Sequence, residues 1–143
     1  MISIGNAAVS DQELLKIYRK LILVDNIKNV PKLYIDDMEM PNGWYRKSDH
    51  SITITASLLE VGSKDTIATT LGHELIHAKY RDEEVSDSLS KIHEKRADIE
   101  GKSLTEKAGY NVCKGFKWIY DGKHISPDHP HYLERWKYLG CQK

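Results

Sequence analysis

The feature that most constrains this chain is the segment TTLGHELIHAKYRD, residues 69–82, in which His73, Glu74 and His77 follow the pattern His-Glu-x-x-His. In a helix, residues four apart differ by about 40° around the axis, so both imidazoles project from one face and can reach one metal ion. Two neutral nitrogen donors beside a carboxylate are typical of sites that activate water. The pattern predicts a zinc site on a helix at about 63–80. The alternative is an exposed amphipathic helix that carries two surface histidines.

Composition predicts a single globular domain around this helix. The chain has 143 residues, of which 40% are hydrophobic and 29% are charged, which suits one core. Its formal net charge is zero, which argues against nucleic acid or an anionic membrane as the main partner. The longest aliphatic run, residues 21–24, is too short to span a bilayer, and the N-terminus lacks the pattern of a secretory signal. The two cysteines, Cys113 and Cys141, suggest a reduced compartment, although one disulfide between them stays open. We therefore expect one domain over residues 1–143, cytoplasmic and without a membrane span.

Periodicity predicts an α+β fold. Ser10 followed by Glu13 is a capping box, which starts a helix, and alternating isoleucine and threonine near residue 53 indicate a strand. In chain order, the sequence predicts a helix at about 10–28, a short strand at 32–36, a strand at about 51–57, a helix at about 63–80, a helix at about 87–108 and a short helix from about 130 to 139.

A third ligand is available in HEKRAD, residues 93–98. Two antiparallel helices joined by a short loop could bring Glu94 to the ion, and Asp98, one turn further on, could hold a ligand imidazole by its second nitrogen. Other interpretations stay open. With the lysines nearby, these carboxylates could form an ordinary solvated face, and His93 is a rival ligand directed about 100° away from Glu94. Asp82 either supports the site or only ends the preceding helix.

Four pieces of sequence occur in an order that is more specific than any one of them. They are PNGWY with SITITASLLE (41–45 and 51–60), LGHELIHAKYRD (71–82), EKRAD (94–98) and HPHYLER (129–135). In these pieces the chain resembles the gluzincin zinc metallopeptidases of the CAAX prenyl protease and HtpX-like family. It is most similar to their small soluble relatives, the minigluzincins, from about Leu33 to Leu139.

The resemblance implies a compact zincin-like fold, with a small, mostly antiparallel sheet over the active-site helix and a second, glutamate-bearing helix. It implies one Zn²⁺ per chain, with Glu94 as the third ligand after the two histidines and Asp98 as its support. It also implies that His129 and Arg135 stabilise the negative charge that develops during hydrolysis.

The resemblance further implies that strand 51–57 is an edge strand that pairs with an extended substrate. The substrate-binding residues would then be Asn42, Gly43, Trp44, Thr53 and Thr55. Gly43 replaces the alanine that is usual in the family, which we expect to loosen this segment. Because the membrane helices of the larger relatives are absent from the sequence, membrane-embedded substrates are not expected.

The resulting hypothesis is a zinc metalloendopeptidase acting on peptide or unfolded protein substrates. Glu74 would accept a proton from the attacking water and deliver it to the leaving amine. The enzyme could also be made as a latent zymogen, with Cys141 near the C-terminus as a fourth zinc ligand. Two alternatives remain: a non-catalytic, zinc-stabilised binding module, and a regulatory protease that cleaves one partner protein.

Overall fold

The computed structural model describes residues 8–82, 87–118 and 132–141, without the side chains of residues 87–89, 118, 132 and 133. Over these residues the fold is α+β, as the sequence predicts, with six helices and three strands. His129 lies outside the described residues. In chain order the elements are α1 (Asp11–Val24), β1 (Lys32–Asp36), β2 (Gly43–Arg46), β3 (Ser51–Thr55), α2 (Ala56–Val61), α3 (Lys64–Tyr80), α4 (Asp87–Lys107), α5 (Val112–Trp118) and α6 (Tyr132–Tyr138).

The first helix begins at the capping box that the sequence contains. The amide of Glu13 donates to the Ser10 hydroxyl at 3.1 Å, and the amide of Ser10 donates to the Glu13 carboxylate at 3.2 Å. These bonds satisfy two of the amides that a helix N-terminus leaves unpaired. The apolar side of α1 then packs into the core through Leu14, Ile17, Tyr18 and Leu21.

The sheet is mixed, and two sequence-based expectations about it are wrong. Its strand order is β1-β3-β2, in which β3 is parallel to β1 and antiparallel to β2. The strand expected at the edge, β3, is therefore the central one, and the sheet is not mostly antiparallel. All five residues of β3 are buried. A strand covered on both faces accepts small or β-branched residues at every position, so its alternation of isoleucine and threonine did not mark an exposed face.

Helix α3 lies at the centre of the molecule, against α1, α4, α5 and β2. Ser63 caps it by accepting a hydrogen bond from the Thr66 amide. Every residue from Leu71 to Ala78 is buried, so this stretch has no exposed face. The alternative of an exposed helix with surface histidines is therefore excluded. Polar groups buried in this way need partners, because a buried polar group without a hydrogen bond is costly.

Helices α3 and α4 approach closely where each has a glycine. A Cβ added to Gly101 would lie 3.1 Å from the backbone N and Cα of His73. A Cβ added to Gly72 would lie only 2.0 Å from Oγ1 of Thr105. Glycine at both positions thus allows the two backbones to come close enough for short carboxylate side chains on α4 to reach α3.

Cys113 in α5 and Cys141, just after α6, form a disulfide with a Cα–Cα distance of 5.3 Å. The disulfide that the sequence left open is therefore present, and within it Cys141 has no free thiol with which to bind zinc as a fourth ligand. Spacing along the chain could not reveal the pairing, since it depends on α5 packing against α3 and α6 against α4. Within the described residues, no helix is long and apolar enough to cross a membrane.

Candidate metal centre

Three side chains from two helices converge on one point. His73 and His77 project from α3 with their Nε2 atoms 3.2 Å apart. Glu94, from α4, places Oε2 3.0 Å from Nε2 of His73 and Oε1 2.9 Å from Nε2 of His77. These three residues could hold a metal ion, since their donor atoms all lie within 4.8 Å of one another.

The separations of these atoms fit a small cation. Zinc binds nitrogen and oxygen ligands at about 2.0–2.2 Å in a tetrahedral arrangement, which places neighbouring ligand atoms about 3.3 Å apart. The observed separations of 2.9 to 3.2 Å are close to that value. Two imidazole nitrogens and one carboxylate are also a donor set that zinc accepts.

The site attracts positive charge. Burial opposes the charging of His73, but hydrogen bonds to Asp98 and Glu94 raise the pKa of its imidazole well above its ordinary value. Burial likewise opposes the charging of His77, yet the carboxylates of Glu94 and Glu74 raise the pKa of that imidazole. The carboxylates that favour a proton here also favour a metal cation.

The second nitrogen of His73 is held by a buried carboxylate. Nδ1 of His73 lies 2.9 Å from Oδ1 of Asp98, and this oxygen also accepts from Nη2 of Arg135 at 2.7 Å. The other oxygen, Oδ2, accepts from Nε of Arg135 at 2.8 Å and from the Tyr138 hydroxyl. Burial alone would raise the pKa of Asp98, but the bonds from His73 and Arg135 hold it well below its ordinary value. An ionised carboxylate only accepts hydrogen bonds, so Nδ1 carries the hydrogen and Nε2 presents its lone pair to the cluster.

The second nitrogen of His77 is held in the same way by Asp82. Nδ1 of His77 lies 2.9 Å from Oδ2 of Asp82, whose backbone amide donates to the carbonyl oxygen of His77 at 2.9 Å. Arg81, with φ of 50°, turns the chain so that Asp82 folds back over the last turn of α3. Asp82 thus both supports the site and ends the helix, which the sequence left as alternatives.

Glu74 lies beside the ligand cluster but outside it. Its Oε2 is 3.9 Å from Nε2 of His73, and only 8% of the residue is exposed. The rival ligand His93 instead faces Asp82, with Nδ1 3.6 Å from its Oδ1. The arrangement therefore provides three side chains that could hold a metal and one separate carboxylate, a combination that a water-activating site requires.

Sequence reasoning missed two residues around the centre, Arg96 and Tyr138. Nη2 of Arg96 donates to Oδ1 of Asp82 at 2.5 Å. On a helix, Arg96 lies about 200° around the axis from Glu94, so helical spacing gave no signal that its long side chain reaches the site. Tyr138 is one turn from Arg135 in α6, a spacing that indicates only that the two share a face.

The predicted substrate-binding residues fall into two groups. Thr53 and Thr55 are buried on the central strand, and Thr55 accepts hydrogen bonds from the Asn42 and Leu58 amides, so neither threonine offers an edge to a peptide. That part of the prediction is wrong. Asn42, Gly43 and Trp44 lie at the start of β2, and no other strand of the described chain pairs with its outer side.

At Gly43, strand β2 packs closely against helix α3. A Cβ at this position would lie 2.7 Å from Cγ2 of Thr70 and 2.9 Å from Cδ1 of Ile54. The absence of a side chain allows β2 to lie directly against α3, on which the two histidines are carried. This close packing argues against a loose segment, and the expectation about its looseness stays a prediction.

Comparison with known proteins finds partial similarity to proteases. The chain is 34% identical over 73 residues to a protease HtpX homolog of Thermodesulfovibrio yellowstonii. The matched region covers 49% of this chain and 26% of that protein. It is 36% identical over 64 residues to a protease HtpX homolog of Saccharolobus islandicus, and this match covers 43% of this chain and 20% of the relative. A protease HtpX homolog 2 of Saccharolobus solfataricus matches to the same extent.

The chain thus spans only about a quarter to a fifth of the length of these curated relatives. No family model matches the chain, and no solved structure matches it. The similarity is to proteases, over about half of the chain. The closer resemblance to minigluzincins remains a hypothesis.

Proposed function

We propose that this protein is a zinc metalloendopeptidase in which His73, His77 and Glu94 bind one Zn²⁺. The observation that carries the proposal is the convergence of their three donor atoms, with the second nitrogen of each histidine held by a carboxylate. Glu74, a buried carboxylate 3.9 Å from Nε2 of His73, is the additional group that a purely structural metal site would not need. The partial similarity to HtpX protease homologues supports the same activity.

In the proposed reaction, bound zinc would polarise the scissile carbonyl and acidify a water molecule. Glu74 accepts the proton of the attacking water and returns it to the leaving amine. Its burial limits competition from bulk water, which strengthens its electrostatic interaction with the reacting groups. The resemblance offers His129 and Arg135 as donors to the developing negative charge. Because Arg135 donates twice to Asp98, its first role is to hold that carboxylate in place.

We propose that the substrate adds as an extended strand to the side of β2 with which no described strand pairs. This strand replaces β3 as the substrate-binding edge, since β3 has neighbours on both sides. Asn42, Gly43 and Trp44 would then contact the peptide, and much of its affinity would come from main-chain hydrogen bonds. Such binding is tolerant of side chains, so unfolded proteins are the proposed substrates.

The proposal is tested by metal content and cleavage in the native protein, in Glu94→Ala and in the control Glu106→Ala. Glu106 is an exposed glutamate on the same helix, whose carboxylate pairs with Lys102. We expect about one zinc per chain in the native protein and in the control, and less in Glu94→Ala. Chelator should stop cleavage of an unfolded protein substrate, and added zinc should restore it.

Each contrary result has a definite meaning. A native protein that binds no zinc would refute the proposal. Zinc without cleavage would favour a non-catalytic, zinc-stabilised binding module. Cleavage of one partner protein but of no unfolded substrate would favour a regulatory protease.

A further inference from the structure

We propose that Arg96 is a positioning residue for the metal centre, which acts through Asp82 to fix the orientation and tautomer of His77. Arg96 itself lies outside the group of metal ligands. The inference rests on the proposed zinc site, because its expected consequence is a loss of zinc affinity.

The Asp82 carboxylate bridges the ligand and the arginine. Its Oδ2 lies 2.9 Å from Nδ1 of His77, and its Oδ1 accepts from Nη2 of Arg96 at 2.5 Å. The side chain of Asp82 is only 7% exposed, so a nearby positive charge must offset the loss of water around the carboxylate. Arg96 supplies that charge, and His93 stands further away, with Nδ1 at 3.6 Å.

Arg96 is held in place by an aromatic ring rather than by several hydrogen bonds. Its guanidinium carbon lies 3.7 Å from the centre of the Tyr80 ring, and the Tyr80 hydroxyl donates to the Glu100 carboxylate at 2.8 Å. The buried Nε of Arg96 has no hydrogen-bond partner among the described residues. Stacking on Tyr80 therefore directs the guanidinium, and the bond from Nη2 transmits that direction to Asp82.

Fixing Asp82 matters because it determines which nitrogen of His77 is free to bind metal. While the carboxylate accepts from Nδ1, the lone pair of Nε2 faces Glu94 and His73. Without Arg96, Asp82 can turn toward solvent, and the imidazole can then rotate or change tautomer. Groups that orient metal-binding histidines in this way typically contribute 10–100-fold to metal affinity.

The two ligand histidines are supported to different degrees. Asp98, behind His73, receives two bonds from Arg135 and one from Tyr138. Among the described residues, the Asp82 carboxylate receives one hydrogen bond from an arginine, that of Arg96. Because no second arginine among the described residues donates to Asp82, removal of Arg96 should have a measurable effect on its own.

The test measures zinc affinity by competition with a chromophoric chelator in the full-length protein. Arg96→Met keeps the aliphatic stem over Tyr80 but removes the charge, and Asp82→Asn removes the other member of the pair. Each change should weaken zinc binding by about 10–100-fold. Lys102→Met is the control, because it removes a partly exposed cation and its pairing with Glu106 on the same helix. Its zinc affinity should equal that of the native protein.

Three further measurements separate positioning from a general structural effect. If Arg96 acts through Asp82, the Arg96→Met/Asp82→Asn double variant should bind zinc no more weakly than Asp82→Asn alone. Arg96→Lys, which keeps the charge but not the planar fork, should recover part of the affinity. In ¹⁵N spectra of the zinc-free protein, recorded at a pH above the pKa of His77 so that the imidazole is neutral, its single hydrogen should lie on Nδ1 in the native protein and redistribute in Arg96→Met.

Native zinc affinity in Arg96→Met, or additive losses in the double variant, would overturn the inference while leaving the proposed function intact. If Arg96→Met fails to fold, the same comparisons are made with Arg96→Lys. If the native protein binds no zinc, the proposed function fails, and the ¹⁵N spectra still decide whether Arg96 sets the tautomer of His77.

Discussion

The candidate site consists of three residues that could hold a metal and one carboxylate, Glu74, that lies outside them. Glu74 lies 3.9 Å from Nε2 of His73, whereas Glu94 lies 3.0 Å from the same atom. Glu74→Gln should therefore leave zinc affinity nearly unchanged but lower the rate of peptide cleavage by about 10²–10⁴-fold, since glutamine cannot accept the proton. Zinc content and initial rates check this.

Glu60→Gln, at an exposed position of α2, is the matched control and should behave as the native protein does. If Glu74→Gln cleaves at the native rate, Glu74 is not the general base. If it instead loses zinc, the carboxylate belongs to the metal-binding groups.

At the scale of elements, the approach of α3 to α4 depends on glycine. In Gly72→Ala, the added Cβ would meet Oγ1 of Thr105 at 2.0 Å, in a fully buried position. Alanine favours a helix by about 1 kcal/mol, but overpacking a core costs about 1–3 kcal/mol. Because a 2.0 Å contact puts the overpacking cost at the upper end of that range, we expect a net loss of about 2 kcal/mol in the free energy of unfolding. Urea denaturation with chelator present measures it apart from metal binding.

Removing the atom that the new Cβ would meet provides the control. In a Thr105→Ala background, Gly72→Ala should cost less than in the native protein, because the 2.0 Å contact with Oγ1 is gone and the 3.2 Å approach to the Gly101 carbonyl oxygen is the tightest that remains. A Gly72→Ala protein as stable as the native one would show that α3 and α4 tolerate a wider separation.

Some of the secondary-structure elements and their contacts could be predicted from the sequence, and others could not. The sequence was sufficient to predict the capping box at Ser10 and the pairing of His73 with His77 on one face of α3, because both depend only on spacing within one helix. The central position of β3 was missed, since alternation of residue types does not report what covers each side of a strand. Arg96 was missed for a similar reason, as its partner Asp82 belongs to another element.

At the scale of the whole molecule, the proposed metal centre depends on three helices and a covalent link. Helix α3 carries two of the ligands, α4 carries Glu94 and Asp98, and α6 carries Arg135 and Tyr138, which hold Asp98. The Cys113–Cys141 disulfide joins α5, which packs on α3, to the residue that follows Gly140 after α6. Loss of this link should free α6 to move away from Asp98.

Cys113→Ser/Cys141→Ser should therefore be less stable and should bind zinc less tightly. Closing a loop between cysteines 28 residues apart is worth about 3–4 kcal/mol, because it restricts the unfolded chain. For a chain of this size, that corresponds to a fall of about 10 °C in the melting temperature. Reductant should lower the native melting temperature by a similar amount and leave that of the serine variant unchanged. Equal melting temperatures for the native protein with and without reductant, at native zinc affinity, would show that α6 holds Asp98 through its own packing.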